Sequence, residues 1–116
     1  MEKTKRVYIS GQMSGLKKSE YTAHFKKAAK YLQSKGYDPV DPSKICCGVN
    51  ISYADLLWVD MKTIMDCGTI FMLDNWSNSK GATAEYYFAK AIGLEIMFEN
   101  DIDYDSNWHL CYNKKL

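Results

Sequence analysis

The chain has 116 residues and a mass of 13.3 kDa, 47% of its residues are hydrophobic, and its formal net charge is +1. That size suits one domain, residues 1–116, able to bury roughly two thirds of its unfolded surface without a metal or disulfide staple. The near-neutral charge excludes the electrostatic footprint of a nucleic-acid partner, and no apolar run approaches the ~20 residues that span a bilayer.

The first ten residues, MEKTKRVYIS, are charged and then strand-like, with no apolar signal segment, so a cytoplasmic protein is expected. Cys46, Cys47, Cys67 and Cys111 form no CxxC pair, and adjacent cysteines make a poor metal clamp and a poor disulfide. All four are expected to be reduced and structural.

In chain order, residues 5–10 (KRVYIS) are β-branched and aromatic, a first strand, and GQMSG at 11–15 is a turn that cannot comfortably continue it. From about residue 19 to 35, Tyr21, Phe25, Ala28, Ala29 and Leu32 recur at spacings of three and four, predicting one buried face of a helix that Gly36 ends. YDPVDP gives a short second strand stopped by Pro42, and residues 43–52 read as a loop. Helical spacing returns over 53–66 through Leu56, Leu57, Met61, Ile64 and Met65. GTIFML, 68–73, is a continuous apolar run short enough for a buried central strand. A loop at 74–79, a helix over 81–92 and a fourth strand, LEIMF at 94–98, follow, and the tail from 99 is left mostly irregular. Strands separated by helices, with buried rather than alternating patterns, predict an α/β fold: three layers, a parallel sheet of four or five strands, helices on both faces, as in flavodoxin- or Rossmann-like proteins.

In an open α/β sheet ligands collect beyond the carboxyl ends of the strands, which selects the loops at 11–18, 42–52 and 74–81. Ser79 is placed to cap the third helix, and its hydroxyl with the free amides of Lys80 and Gly81 would form an anion site; a plain N-cap is the commoner use of such a serine. Glu85 follows six residues later, about 9 Å along the helix axis, roughly the span from a nucleotide's 5′-phosphate to its anomeric carbon. Asp60 lies among apolar residues in LLWVDMKTIMD, either as a solvated aspartate or facing Glu85. If the two face each other, they form the carboxyl pair that glycosyl transfer needs. Asp74 and Asn75, directly after the third strand, are positioned to hold a sugar or to make an ordinary Asx turn. His24 on a helix face and His109 in the tail are assigned neither a metal nor an acid–base role.

Three blocks, VYISGQMSG, DMKTIMDCGTIFML and SNSKGATAEYYFAKAIGLEIMF, resemble the nucleoside 2-deoxyribosyltransferase superfamily, including its deoxynucleoside 5′-monophosphate N-glycosidases. The resemblance covers roughly residues 6–98. It implies that Glu85 is the nucleophile that attacks the anomeric carbon, that Asp60 assists proton transfer to the leaving base, and that Ser79 binds a 5′-phosphate. By the same resemblance Tyr8 and the turn containing Gly11, Gln12, Ser14 and Gly15 line the base and sugar; Asp74, Asn75 and Gly81, chosen from their places at a strand end and a helix start, complete the expected substrate-binding set. No metal or cofactor is implied. The partner implied is a small nucleoside or nucleotide, in a homodimer or homotetramer in which the tail from 99 completes a neighbouring subunit's site through Tyr104, Trp108, His109 or Tyr112. The expected activity is N-glycosidic cleavage, by hydrolysis or base exchange, with Glu85 ionised at neutral pH. The contrasting reading is a non-catalytic nucleotide-binding or sequestering module on the same fold, and the two differ in whether Asp60 and Glu85 project into one cleft.

Overall fold

A computed structural model describes residues 2–44 and 52–104. Four strands, β1 (Arg6–Ser10), β2 (Asp38–Val40), β3 (Thr69–Met72) and β4 (Glu95–Phe98), alternate with three helices, α1 (Lys18–Ser34), α2 (Tyr53–Met65) and α3 (Lys80–Ala91). Single 3-10 turns occupy Lys3–Lys5, Pro42–Lys44, Trp76–Asn78 and Glu99–Asp101. The strands form one parallel sheet in the order β2-β1-β3-β4. This is the predicted α/β architecture, with four strands.

Alternation along β1 and β3 divides the core. Val7, Ile9, Phe71 and Leu73 point to one face, where they meet Phe25, Ala28, Ala29 and Leu32 of α1. Tyr8, Ile70 and Met72 point to the other, against Ile64 of α2 and Ala89 of α3. These side chains are essentially removed from water, each large one contributing about 1.5–3 kcal/mol of burial. The apolar spacing seen in α1 is therefore its sheet-facing stripe. In α2 the stripe is narrower than the spacing predicts: Met65 is 51% exposed, because the next residue after sheet-facing Ile64 is rotated about 100° around the axis.

The order places β1 between β2 and β3, so the connections leave the sheet in opposite directions from β1 and β3. A crevice opens at that switch point beyond their carboxyl ends. Gly11 lies on its floor. A Cβ there would stand 2.4 Å from Leu73 Cδ1, so only glycine lets the chain leave β1 this close to β3. Among the described residues no helix is long and apolar enough to cross a membrane. Cys67 is a buried free thiol, while Cys46, Cys47 and Cys111 lie outside the described residues.

Candidate active site

Glu85 is one turn inside α3, on the stripe with Ala82 and Ala89 that faces the sheet. It is only 6% exposed. A buried carboxyl needs partners, and β1 supplies them: Ser10 Oγ donates to Glu85 Oε1 at 2.7 Å, and the Tyr8 hydroxyl donates to Oε2 at 3.2 Å. Asp60, sharing the sheet-facing side of α2 with Ile64, is also buried and lies within hydrogen-bonding reach of both Glu85 and Tyr8. Of the two readings of Asp60, the fold realises the one that turns it toward Glu85.

Two carboxyls in contact under low solvent exposure cannot both ionise readily. Burial, opposed by the Ser10 hydrogen bond and reinforced by the Asp60 charge, pushes Glu85 up to about 8. Burial also raises Asp60, opposed by its hydrogen bonds from Glu85 and Tyr8. Both carboxyls are thus pushed toward the protonated form, Glu85 by burial and by the Asp60 charge, Asp60 by burial. This amends the expectation of a simply ionised Glu85: the sequence does not show how far the carboxyl is withdrawn from water. The Tyr8 phenol is itself raised well above its ordinary value by burial and by Glu85, so it stays a donor.

The two carboxyls sit at one end of a cavity of about 440 Å³, within the size range of small-molecule sites. Gly11, Met13 and Ser14 from the loop after β1 form one wall, and Tyr53 and Leu56 of α2 another. Ser79, Lys80 and Gly81 at the start of α3 close the far end. Ser79 Oγ accepts from Ala82 N at 3.1 Å, so the serine is a true N-cap; its own proton and the first-turn amides of Lys80 and Gly81 stay directed out of the helix. A Cβ at residue 81 would stand 3.1 Å from the Tyr53 hydroxyl, so glycine there lets the phenol lie across the helix start.

The fold thus brings Glu85, Asp60, Gly11, Ser14, Ser79 and Gly81 around one space. Tyr8 is fully buried beneath the carboxyls and does not line it. Gln12 is engaged behind the wall: its backbone N–H donates to Asn75 Oδ1 at 3.0 Å and its side-chain amide to the Ser14 carbonyl at 3.0 Å. Asn75 is therefore a tie between the β1 and β3 loops. Gly15 makes the exposed turn with φ +85°. Asp74 points to the opposite side, 3.7 Å from His24 Nε2.

Ser10, Met13 and Tyr53 are not singled out by the sequence, and Leu56 is read from it only as part of the apolar stripe of α2. Ser10 carried a signal: it alternates with Tyr8 along a buried strand, so it shares that residue's face. The approach of Tyr53 to Gly81 is a tertiary contact without a local signature.

A second polar cluster lies on the α1 side of the sheet. Glu99, also 6% exposed, accepts from Asp74 N at 2.8 Å and from the Tyr104 hydroxyl at 2.5 Å, and its Oε1 lies 2.8 Å from His24 Nε2. His24 is thus more than a face residue. These donors outweigh burial and hold Glu99 below the usual carboxylate range, while the Glu99 hydrogen bond raises His24. The ligand atoms of His24, Asp74 and Glu99 lie within 4.8 Å of one another, a donor set a divalent transition ion accepts. Both Glu99 oxygens are already satisfied by protein donors, however, so the cluster is complete as a hydrogen-bonded pin. Tyr104, expected to serve a neighbouring subunit, is engaged with Glu99 of its own chain because Tyr31 and Lys27 pack against its ring. Trp108, His109 and Tyr112 lie outside the described residues.

No curated protein matches the sequence. Among solved structures, a 2-desoxiribosyltransferase from Leishmania mexicana superposes with a TM-score of 0.62 at 16% identity, covering 81% of this chain and 63% of that one. A CMP N-glycosidase from Clostridium botulinum superposes with a TM-score of 0.56 at 18% identity, covering 86% and 75%. The chain spans less than two thirds of the transferase's length. At these identities the likeness is one of fold, and it agrees with the resemblance carried by the sequence blocks. A family model described as "Domain of unknown function (DUF4406)" matches residues 5–98, so the chain belongs to that family, built on a fold shared with a deoxyribosyltransferase and a nucleotide N-glycosidase.

Proposed function

We propose that the protein cleaves the N-glycosidic bond of a nucleoside or nucleoside 5′-monophosphate through a covalent glycosyl–glutamate intermediate. The observation that carries this reading is the Asp60–Glu85 pair, two buried carboxyls lining one cavity, which in this reading share one proton. The sugar lies over the pair, with its 5′ end toward Ser79 and the first amides of α3. As positive charge develops on C1′ it favours ionised Glu85 and moves the shared proton to Asp60, with the Tyr8 hydroxyl in contact with both. Glu85 then bonds to C1′ as the C1′–N bond breaks, and Asp60 gives its proton to the departing base nitrogen. In the second half a water attacks C1′, Asp60 takes its proton, and the ester to Glu85 breaks; with a second base as acceptor, the same step is base exchange.

A single domain and a homodimer or homotetramer belong to the same reading, supported by Trp58, Met65 and Tyr87 exposed on α2 and α3. The buried free thiol of Cys67 fits a reducing, cytoplasmic setting.

The test is chromatography of free base after incubation with ribo- and deoxyribonucleosides and their 5′-monophosphates, beside Glu85→Ala. Base should be released by the wild type and fall by at least about 1,000-fold in the variant. Retained turnover in folded Glu85→Ala sinks the nucleophile assignment. Binding without release from any member of the panel replaces the enzyme with a nucleotide-binding module.

A further inference from the structure

Ser10 is the last residue of β1 and is fully buried. Its place is rigid: it pairs with Met72 in the sheet, and its carbonyl accepts from Leu73 N at 2.8 Å. A hydroxyl in such a position must have a partner, and its partner is Glu85 Oε1 at 2.7 Å. The contact joins the end of a central strand to a helix 75 positions away in sequence. Nothing in the packing of β1 requires a hydroxyl there, since Val7 and Ile9 bury without one.

We propose that Ser10 is a positioning residue for Glu85, its hydroxyl fixing one carboxylate oxygen so that the group is held in one orientation beside the cavity and its charged form is favoured against burial. This rests on the reading of Glu85 as nucleophile. The titratable groups facing Glu85 are Tyr8 from β1 and Asp60 from α2. Tyr8 hydrogen-bonds Glu85 and also influences Asp60, and Asp60 acts on Glu85 through its charge, so changing either disturbs the pair as a whole. Ser10 does not titrate and bonds to one oxygen, which makes it the contact that favours the charged form of Glu85 alone. It does not line the cavity, so its effect should fall on ionisation and turnover rather than on ligand contact.

The experiment is a carbon-13 NMR titration of the Glu85 carboxyl in the full chain, as wild type, Ser10→Ala and Ser10→Cys, paired with the pH dependence of base release. Losing a donor to the charged form moves the Glu85 midpoint upward, by about one pH unit in Ser10→Ala. The near-isosteric thiol, a weaker donor, gives a smaller upward shift and serves as the reporter if the alanine variant does not fold. The acid limb of the rate profile should move by the same interval with KM unchanged. A Glu85 midpoint that stays in place in the folded variants overturns the proposal. If base release is absent in wild type, the catalytic reading fails on its own account, and the carboxyl titration still decides whether Ser10 favours the charged form of Glu85.

Discussion

Glu85 and Glu99 are equally withdrawn from water, each 6% exposed, yet their carboxyls are pushed in opposite directions. Around Glu99 an imidazole, a backbone amide and a phenol all donate, and the imidazole can carry a positive charge. Around Glu85 two hydroxyls donate but the third neighbour is another carboxyl. Burial sets the size of the electrostatic stake, and the partners decide its sign. Glu99 is accordingly suited to holding structure together: through Asp74 N it fixes the start of the β3 loop, which Asn75 ties to the cavity wall at Gln12. Glu85 is instead pushed toward its protonated form beside a second carboxyl, a perturbation of the kind found where carboxyls do chemistry, as the proposed function requires.

The comparison is broken most directly by neutralising each glutamate in turn. Glu99 has a lowered folded pKa, so its contribution is present above the unfolded value and lost as pH falls through the folded one. Glu99→Gln should therefore cost about 2–3 kcal/mol near neutral pH, the deficit shrinking in acid. Glu85 has a raised folded pKa, so its protonated form is well accommodated in acid and stability drains away as pH rises toward about 8. Glu85→Gln lacks that slope and should gain on the wild type as pH rises. Denaturant midpoints at about pH 3 and about pH 5 read the Glu99 variant, and at about pH 5 and about pH 8 the Glu85 variant; deficits with the same pH trend in the two would remove the distinction between the sites.

The sequence made one of these glutamates visible and left the other obscure, for physical reasons. Glu85 stands at a fixed interval from a helix cap, and both the 3.6-residue period and the Ser79 cap can be read locally. The strands were readable because continuous apolar runs such as TIFM are compatible with a sheet covered on both faces. Glu99 follows β4 in what reads as a polar tail, and its partners, His24 and Asp74, lie 75 and 25 positions away. Such contacts arise only when β3 and β4 lie side by side with α1 across them. The same limit hid Ser10, and it is why the side chains of Asp74 and Asn75, correctly placed at a strand end, turn away from the cavity: strand-end position is local, but direction is set by the neighbours.

The comparison is sharpened by changing the third neighbour of Glu85. Asp60→Asn removes the opposing charge and can add an amide donor, both favouring ionised Glu85. Its titration midpoint should fall by about one pH unit or more, opposite in sign to the effect of removing the Ser10 hydroxyl. Base release should fall as well, since asparagine has no proton to give the leaving base. A midpoint that does not fall would mean that burial alone raises Glu85, and that the carboxyl pair is not electrostatically coupled.

The smallest effect belongs to the cation on the Glu99 side. His24 has a raised folded pKa, so its charge contributes fully below the unfolded value and its contribution is lost as pH rises through the folded one. Glutamine at this position retains an amide that can donate to Glu99 but carries no charge, so His24→Gln isolates the ionic part of the pair. Because His24 is partly exposed, with 24% of its side chain accessible, the charge should add no more than about 1 kcal/mol. Thermal melts should show His24→Gln below the wild type at about pH 5.5, where Glu99 is ionised and the imidazole protonated, and level with it at about pH 9. A deficit that persists unchanged into alkali would assign the loss to the shape of the imidazole against Glu99. The opposite behaviour of the two glutamates would then rest on the number of donors around each one rather than on the charge those donors carry.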